Sequence, residues 1–314
     1  KISNIDTNIT SFVNSINIWL SAMISSDNLI LNQISFDKSS GSMLEKVAQG
    51  DSVRKIRSIR ELKRRLSEGR RCYAYFHPCL INEPLAFIHI ALTPILATSL
   101  SIINSKSTEQ SPTHAMFYSV NSPVQALSGF DLGVRLIKES KNEIKKSYPT
   151  VRVFCTLSPL PSFLTWLRSL INPAEDTSRQ NIDEINKLNI PEVIVNDIIQ
   201  YIKVIRRDTF NEENKYNCIK WLILTTVDTK WTSDDQLISN IKPLLLWLAE
   251  HYMINVKSER SIELPRDPVT RFHLRNGATI KSINWMADPS ESGLKASAGI
   301  MINYLYEDLD NNYY

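Results

Sequence analysis

Apolar residues in the first part of the chain recur with a helical period and then with a strand-like one. The first pattern covers Ile9–Ile24 and predicts a helix, because apolar residues three and four positions apart share one helix face. Leu29–Phe36 alternates in part, as a short strand does. In the basic segment that follows, Ser58 and Glu61 have the S-x-x-E spacing of a capping box, so the sequence predicts that a helix begins there.

Four apolar runs in the middle of the chain are rich in aromatic and β-branched residues, which predicts strands. They are Cys72–His77, Leu85–Thr93, Ala115–Asn121 and Val151–Leu157. The last two are separated by a loop, Ser122–Asp131, and by a helix of about four turns, Leu132–Ser147, that ends before Pro149.

The remainder of the chain is helical for a long stretch and closes with two more predicted strands. These strands are Ala278–Met286 and Ala298–Tyr306. The order of elements is strands, a loop and helix, a strand, a helical region and two strands. It predicts an α+β domain with a mixed sheet flanked by helices.

Composition narrows the class of protein. The chain has 314 residues, of which 43% are hydrophobic and 22% charged, as in globular proteins with a substantial core. A net charge of +3 is too small to argue for a nucleic-acid partner. The apolar runs are shorter than a membrane span. The sequence therefore predicts no nucleic-acid partner and no membrane span.

The cysteines and the common ligand motifs point away from a metal or disulfide framework. Cys72, Cys79, Cys155 and Cys218 have no paired C-x-x-C spacing, and the chain contains no H-E-x-x-H, P-loop or G-x-G-x-x-G. Reduced thiols in an intracellular compartment fit this pattern. Cys155 lies inside an apolar strand, where a reactive thiolate is disfavoured, so we reject it as a nucleophile.

Ser158 stands between an apolar run and two prolines in the segment CTLSPLPSF. The hydroxyl could cap a helix that opens near Pro159 or Pro161, since serine accepts from free amides and proline suits a first turn. It could instead face a ligand, with the prolines stiffening the turn that aims it. The local pattern alone favours the helix cap.

Glycines cluster in two short regions. Gly129 and Gly133 lie between a strand and a helix N-terminus, where a phosphate would find free amides and a favourable dipole. An ordinary tight turn is the alternative, and spacing alone favours it. The other cluster comprises Gly277, Gly293 and Gly299.

Seven segments, taken in order, resemble the malonyl-CoA decarboxylase family. They are LKRRLSEGRRCYAYFHP (Leu62–Pro78), NEPLAFIHIALT (Asn82–Thr93), AMFYSVN (Ala115–Asn121), LSGFDLGVRLIK (Leu127–Lys138), FCTLSPLPSFLTWL (Phe154–Leu167), DPVTRFHLRNGATIKSINWMAD (Asp267–Asp288) and GIMINYLY (Gly299–Tyr306). The resemblance implies a GNAT-like fold and the conversion of malonyl-CoA to acetyl-CoA and carbon dioxide in fatty acid metabolism. It also implies that residues 1–26 end a helical N-terminal domain and that residues 27–314 form the catalytic domain.

The same resemblance implies roles for individual residues. Ser158 and His273 match a catalytic Ser/His dyad, and Ser119, Asp131 and Tyr306 match substrate-binding positions. The CoA-binding positions are Gln125, Ala126, Leu127, Ser128, Gly129 and Gly133.

The chain departs from the family pattern at several of these positions. Asp131 stands where the family has glutamate, and Ala126 and Ser162 stand where it has glycine. A family histidine expected just after Leu44–Val47 is missing. These departures leave Ser158 and His273 in place.

The reaction, partners and location follow from the resemblance as further expectations. The thioester carbonyl is itself an electron sink, so no metal and no cofactor is expected, and malonyl-CoA is the substrate. A homo-oligomer is expected when the full helical domain is present. The compartment would be mitochondrial, peroxisomal or cytoplasmic.

Two other functions stay open at this point. One is an acyl-CoA N-acyltransferase on the same fold, which would leave the Ser/His pair unexplained. The other is a non-catalytic CoA-binding module. The basic run Arg54–Arg71 could meet CoA phosphates, although a solvated helix face is the favoured interpretation.

Overall fold

The computed structural model describes residues 2–24, 28–105, 111–124, 127, 130–171, 179–206, 214–259 and 261–307. The described helices are α1 (Ile2–Met23), α2 (Gly41–Gly50), α3 (Ile59–Arg65), α4 (Leu100–Asn104), α5 (Leu132–Ser147), α6 (Phe163–Ser169), α7 (Arg179–Lys187), α8 (Glu192–Arg206), α9 (Lys215–Thr225), α10 (Asp235–Ile254), α11 (Pro268–Arg275) and α12 (Glu291–Ser297). The described strands are β1 (Ile30–Ile34), β2 (Arg70–Phe76), β3 (Ala86–Thr93), β4 (His114–Asn121), β5 (Val153–Thr156), β6 (Ser158–Pro159), β7 (Lys257–Ser258), β8 (Ser261–Pro265), β9 (Thr279–Asn284) and β10 (Met301–Leu305).

The chain divides into two compact units. The first unit comprises Lys1–Leu96 and Ser105–Cys155, and the second comprises Ala97–Asn104 and Thr156–Tyr314.

The first unit is built on strands in the order β1-β2-β3-β4-β5. The pairs β1–β2, β2–β3 and β3–β4 are antiparallel, and α5 connects β4 to β5 and packs against β2, β3 and β4. All eight residues of β3 are buried, because it lies in the middle of this order. The register places His89 of β3 opposite Cys72 and Ser119. The polar side chains of His89 in β3 and of Ser119 and Asn121 in β4 are therefore buried inside the first unit.

The second unit combines strands in the order β9-β10-β6 with a helical core. Both pairs are antiparallel, and Ile302 of β10 lies opposite Ile283 on one side and Ser158 on the other. Apolar faces of α6, α8, α9 and α10 pack together, with Trp166, Ile202 and Leu248 among the buried residues. The separate hairpin β7–β8 leads into α11. Ile302 and Tyr304 of β10 belong to the same core, which therefore supports the strand that pairs with Ser158.

The sequence-based assignment of elements is confirmed in its main features. Helix α5 has the predicted bounds, each predicted strand has a counterpart, and the α+β class with a mixed sheet flanked by helices is confirmed. The predicted domain boundary at residue 26 stays a prediction. Among the described residues, no helix combines the length and the apolar character that crossing a membrane requires.

Two local expectations need correction. The Ser58 hydroxyl accepts from the Glu61 amide, but the Glu61 carboxylate accepts from the Arg57 amide, one residue ahead of the cap. The basic run is not simply a solvated face, because Arg65 and Arg70 are buried. Arg65 can be buried because it forms an ion pair with the buried Asp51, in which Nη1 and Oδ2 are 2.8 Å apart.

Candidate functional site

Ser158 lies in β6 and is not a helix cap. Its partner across the pairing with β10 is Ile302, and α6 begins only at Phe163, with Ser162 at the cap position. The interpretation of Ser158 as a helix cap is therefore wrong. Strand pairing fixes the backbone at Ser158, and only 7% of the residue is exposed.

His273 is carried by α11, whose start is strongly specified. Asp267 caps the helix by accepting from the amides of Val269 and Thr270, at 3.0 and 2.8 Å. Pro268 occupies the first turn, where its fixed φ suits a helix. The helix ends two residues after His273, which is 4% exposed. A short, capped helix thus holds a buried imidazole.

Ser158, His273 and Tyr306 form one chain of hydrogen bonds in the second unit. Ser158 Oγ lies 2.9 Å from His273 Nε2, and His273 Nδ1 lies 2.8 Å from the Tyr306 hydroxyl. The Ser158 hydroxyl also donates to Thr156 Oγ1 at 2.9 Å. Both ring nitrogens of His273 are therefore engaged, one by an aliphatic hydroxyl and one by a phenol.

Tyr304 supports the other side of the imidazole. Its ring stacks on His273, and its hydroxyl lies 2.8 Å from Thr270 Oγ1. Thr270 donates in turn to Asp267 at 3.2 Å, and the Tyr304 hydroxyl also lies 4.0 Å from Met253 Sδ. This second chain ties the face of His273 to the cap of its own helix.

Burial sets the charge state of the imidazole. It lowers the pKa of His273 from 6.5 to about 3, because the charged form loses its hydration. His273 is therefore neutral at physiological pH, with a hydrogen on one ring nitrogen and a lone pair on the other. Such an imidazole between two hydroxyl groups can accept a proton at one nitrogen while releasing one from the other.

Ser119, a residue expected to bind substrate, lies in the first unit within a buried polar cluster. Its hydroxyl donates to Asp51 Oδ1 at 2.9 Å and accepts from Asn121 Nδ2 at 2.8 Å. Burial raises the pKa of Asp51, and the Arg65 guanidinium and these hydrogen bonds oppose that rise. His89 Nε2 is 3.5 Å from Asp51 Oδ2, and burial lowers the pKa of His89 to about 3. The substrate-binding role of Ser119 stays a prediction.

The expected phosphate-binding segment precedes α5 in the first unit. Asp131 is exposed at the cap position with a left-handed φ of 51° and no side-chain cap hydrogen bond, and Gly133 lies in the first turn of the helix. Leu127 is buried, and its amide donates to the Val124 carbonyl. Gln125, Ala126, Ser128 and Gly129 lie outside the described residues.

Sequence reasoning missed Thr156, Tyr304, Thr270 and Asp267. A signal was present for the first two, because residues two apart on an extended chain lie on the same side. Thr156 precedes Ser158 by two residues, and Tyr304 precedes Tyr306 by two. The Asp-Pro pair at the start of α11 is likewise a readable helix start. Among the described residues, no group of three or more His, Cys, Asp or Glu side chains is placed to hold a metal ion.

Comparisons with known proteins give a consistent result. The family model described as "Malonyl-CoA decarboxylase C-terminal domain" matches residues 27–313. A protein from Anser anser anser named mitochondrial malonyl-CoA decarboxylase is 34% identical over 278 residues, covering 86% of this chain and 51% of the relative. The protein of the same name from Rattus norvegicus is 31% identical over 294 residues, covering 91% of this chain and 55% of the relative.

Solved structures show the same similarity. The malonyl-CoA decarboxylase from Agrobacterium vitis matches with a TM-score of 0.72 at 27% identity, over 98% of this chain and 66% of the other. The enzyme from Rhodopseudomonas palustris matches with a TM-score of 0.70 at 31% identity, over 95% of this chain and 64% of the other. The chain spans about half the length of the named relatives and about two thirds of these structures. Since the family model covers all but the first 26 residues and the last one, the chain belongs to the malonyl-CoA decarboxylase family.

Proposed function

We propose that this chain converts malonyl-CoA to acetyl-CoA and carbon dioxide, with Ser158 and His273 as its catalytic residues. The observation that carries the proposal is the 2.9 Å contact between Ser158 Oγ and His273 Nε2. It joins two residues from distant parts of a chain whose relatives are named malonyl-CoA decarboxylases. A buried hydroxyl beside a neutral imidazole suits a reaction in which negative charge moves onto an oxygen and a carbon then takes a proton.

The reaction sets three demands on the protein. The bond from the carboxylate to the central carbon must align with the thioester π system, so that its electron pair enters the carbonyl as carbon dioxide leaves. The resulting enolate oxygen needs fixed hydrogen-bond donors. The enolate carbon then takes one proton to give acetyl-CoA. The thioester itself accepts the electron pair, so we propose that no metal or other cofactor takes part.

Ser158 meets the second demand. Its hydroxyl can turn toward the enolate oxygen or the malonyl carboxylate while its own oxygen still accepts from His273. Because Ser158 and His273 are both buried, such a hydrogen bond acts where water does not compete. Strand pairing with Ile302 holds the Ser158 backbone, so little reorganisation is needed as charge develops.

His273 meets the third demand together with Tyr306. As the enolate carbon takes a proton from the Ser158 hydroxyl and Ser158 takes one from His273 Nε2, the Tyr306 phenol can supply one to Nδ1, so the imidazole stays neutral and the phenolate of Tyr306 then takes a proton from solvent. The anionic substrate would also raise the pKa of His273, since a nearby negative charge favours the protonated form. A low pKa of His273 in the protein without substrate is therefore compatible with His273 acting as a proton donor in the complex with malonyl-CoA.

We place the CoA pyrophosphate at the N-terminus of α5, over Gly129–Gly133. Supporting this are the match to the family's loop and the presence of Gly133 in the first turn, at the positive end of a helix of 16 residues. The Asp131 carboxylate at the cap position offers no donor to a phosphate. We therefore propose that Asp131 acts on the malonyl end or on a neighbouring group, as Ser119 and Tyr306 are also proposed to do.

The cellular role follows from the same assignment. Removal of malonyl-CoA would control its level in fatty acid metabolism. The names of the relatives from Anser anser anser and Rattus norvegicus favour the mitochondrion over the peroxisome and the cytoplasm. A homo-oligomer is proposed for a protein that carries the complete helical domain. Imaging of the tagged full-length protein tests the location, and light scattering tests the assembly.

Incubation of the purified protein with malonyl-CoA and no acyl acceptor tests the activity. Acetyl-CoA and carbon dioxide in equal amounts are expected, whereas an N-acyltransferase would give neither. CoA binding without turnover by the full-length protein would favour a non-catalytic module. Ser140→Ala is a matched control for Ser158→Ala, because Ser140 is a buried serine whose hydroxyl has no hydrogen-bond partner among the described residues. Ser140→Ala should retain activity.

A further inference from the structure

Thr156 is the last residue of β5 and lies two positions before Ser158. It is 1% exposed, and its Oγ1 accepts from the Ser158 hydroxyl at 2.9 Å and from the Tyr304 amide at 3.2 Å. We propose that Thr156 is a positioning residue that fixes the direction of the Ser158 hydrogen and, through it, the tautomer of His273. The consequence for turnover rests on the proposed function, whereas the consequence for the tautomer does not.

The direction of the Ser158 hydrogen decides which nitrogen of His273 is protonated. A serine hydroxyl has one hydrogen, and here it is directed at Thr156. The hydrogen in the contact between Ser158 Oγ and His273 Nε2 must then come from Nε2. A neutral imidazole has a single N–H, so Nδ1 carries a lone pair and accepts from the Tyr306 hydroxyl. The donors run in one direction, from Tyr306 through His273 and Ser158 to Thr156.

A separate buried network holds Thr156 in place. Asn303 Nδ2 donates to the Thr156 carbonyl at 2.6 Å and to the Ala97 carbonyl at 3.1 Å. Its Oδ1 accepts from Ser282 Oγ and Asn284 Nδ2, both at 2.8 Å. Asn303 is fully buried, and these four bonds use its whole hydrogen-bonding capacity. Two successive residues of β10 therefore hold Thr156. Asn303 binds its backbone carbonyl, and the Tyr304 amide donates to its hydroxyl oxygen.

This arrangement matters for how Ser158 meets an anionic substrate. A hydroxyl oxygen such as Thr156 Oγ1 is a weaker acceptor than an imidazole lone pair, so it gives up the Ser158 hydrogen more readily to a developing enolate. While Ser158 donates to substrate, it still accepts from Nε2–H, and the two hydrogen bonds strengthen each other. In the opposite tautomer the Nε2 lone pair would compete with the substrate for that hydrogen. By accepting the Ser158 hydrogen, Thr156 thus prevents Ser158 from donating it to His273 Nε2.

The tautomer can be measured in the whole protein without substrate. In ¹⁵N-labelled protein, the two ring-nitrogen chemical shifts of His273 distinguish N–H from a bare nitrogen, and the spectrum of His273→Gln assigns them. The expected result is Nε2–H in the wild type and in Thr156→Ser, which keeps the hydroxyl. Thr156→Val removes the acceptor, so Ser158 should donate to Nε2 and the population should move to Nδ1–H.

Turnover provides the second measurement. Thr156→Val is expected to lower kcat for malonyl-CoA by roughly tenfold with little change in KM, since one orienting hydrogen bond is worth about a factor of ten. Thr156→Ser should restore most of the rate. Thr226→Val is the matched control, because Thr226 is a buried threonine whose hydroxyl donates to the carbonyls of Leu222 and Ile223. It should change neither the tautomer nor kcat.

The outcomes separate this inference from the proposed function. Nδ1–H in the wild type, an unchanged tautomer in Thr156→Val, or equal behaviour of the serine and valine variants would each overturn it. The wild-type spectrum is decisive even if Thr156→Val does not fold. If the wild type shows Nε2–H and Thr156→Val shifts it, but malonyl-CoA is not turned over, the proposed function fails while the positioning role of Thr156 stands.

Discussion

The imidazole of His273 lies flat against the phenol ring of Tyr304, with the ring centroids 4.3 Å apart and the ring planes 24° apart. Tyr304 is fully buried, and its hydroxyl reaches Thr270 on the same helix as His273. The stack therefore fixes the plane of the imidazole while Ser158 and Tyr306 hold its two nitrogens. A ring held on its face and at both nitrogens has little freedom to rotate away from Ser158.

We expect Tyr304→Phe and Tyr304→Leu to separate the two contributions of this tyrosine. Phenylalanine keeps the stacked ring but removes the hydrogen bond between Tyr304 and Thr270, which should cost about 1 kcal/mol of unfolding free energy and change kcat little. Leucine removes the ring and should cost about 2–4 kcal/mol, because a buried aromatic side chain is lost. The leucine variant should also lower kcat, since the imidazole can then turn. Urea unfolding and turnover of malonyl-CoA give the two quantities, and equal kcat values for the two variants would contradict the role of the stack.

The buried imidazole predicts how stability depends on pH. The pKa of His273 is lowered from 6.5 to about 3 in the folded protein. Between these values the unfolded chain binds a proton that the folded protein does not, so the folded state loses stability as the pH falls below about 6.5. His273→Gln should remove this contribution and flatten the pH dependence by up to about 1.4 kcal/mol per pH unit.

Urea unfolding of wild type and His273→Gln between about pH 4.5 and pH 7 checks this prediction, provided that both proteins remain two-state. His89, whose pKa is also lowered to about 3, remains in both proteins and so largely cancels in the comparison. If the unfolding free energies of the two proteins changed with pH in parallel, folding would not lower the pKa of His273.

The sequence predicted regular elements well where a periodic pattern was long. Helix α5, with 16 residues between a loop and a proline, was placed at the bounds that the structure has. The strands were placed within a few residues, because buried strands such as β3 are almost wholly apolar. Helices α11 and α12 have eight and seven residues, too few for a period to stand out, and were not separately predicted.

The candidate site was only partly accessible to sequence reasoning. The resemblance named Ser158, His273 and Tyr306. Ser158 and His273 are 115 residues apart in the sequence, however, and that separation does not indicate how far apart they lie in the folded chain. The local pattern at Ser158 favoured a helix cap and was misleading, because the pairing of β6 with β10 depends on a strand far along the chain. The burial of Arg65 was likewise unpredictable, since it depends on a long-range partner, Asp51.

The cluster around Asp51 should contribute to stability, and Ser119 tests how much. We expect Ser119→Ala to lower the unfolding free energy by about 1–2 kcal/mol, because a buried carboxylate loses a donor and Asn121 loses an acceptor. Asp51→Asn should cost about 2–3 kcal/mol, because Arg65 keeps its ion pair with Glu61 but loses the charge of its fully buried partner. Urea unfolding measures both. A rise in KM for malonyl-CoA in Ser119→Ala without any loss of stability would instead favour a direct substrate contact.

Activity should not depend on a divalent metal ion. The reason is chemical, since in the proposed reaction the thioester accepts the electron pair of the breaking bond. Prolonged treatment with EDTA followed by gel filtration is expected to leave kcat unchanged. Loss of activity that zinc or magnesium restores would refute this expectation and would require a metal ligand set to be sought.

The proposed catalytic pair makes the sharpest prediction, because Ser158 and His273 share one hydrogen bond. Either alanine substitution should lower kcat by roughly 10²–10⁴ while CoA affinity is nearly unchanged, as expected for groups that act mainly in the transition state. The double variant should be little slower than the slower single variant, because residues that act as a unit are not additive.

Turnover of malonyl-CoA by the two single variants and the double variant completes the cycle, and binding of a non-reactive CoA thioester checks affinity. Ser297→Ala is a suitable control, since Ser297 is buried but its hydroxyl donates to the Gly293 and Ile300 carbonyls. Near-normal turnover by His273→Ala, or losses that simply multiply in the double variant, would show that the two residues do not work together. The 2.9 Å contact would then be a structural hydrogen bond between a strand and a helix, and the proton would have to reach carbon from another group.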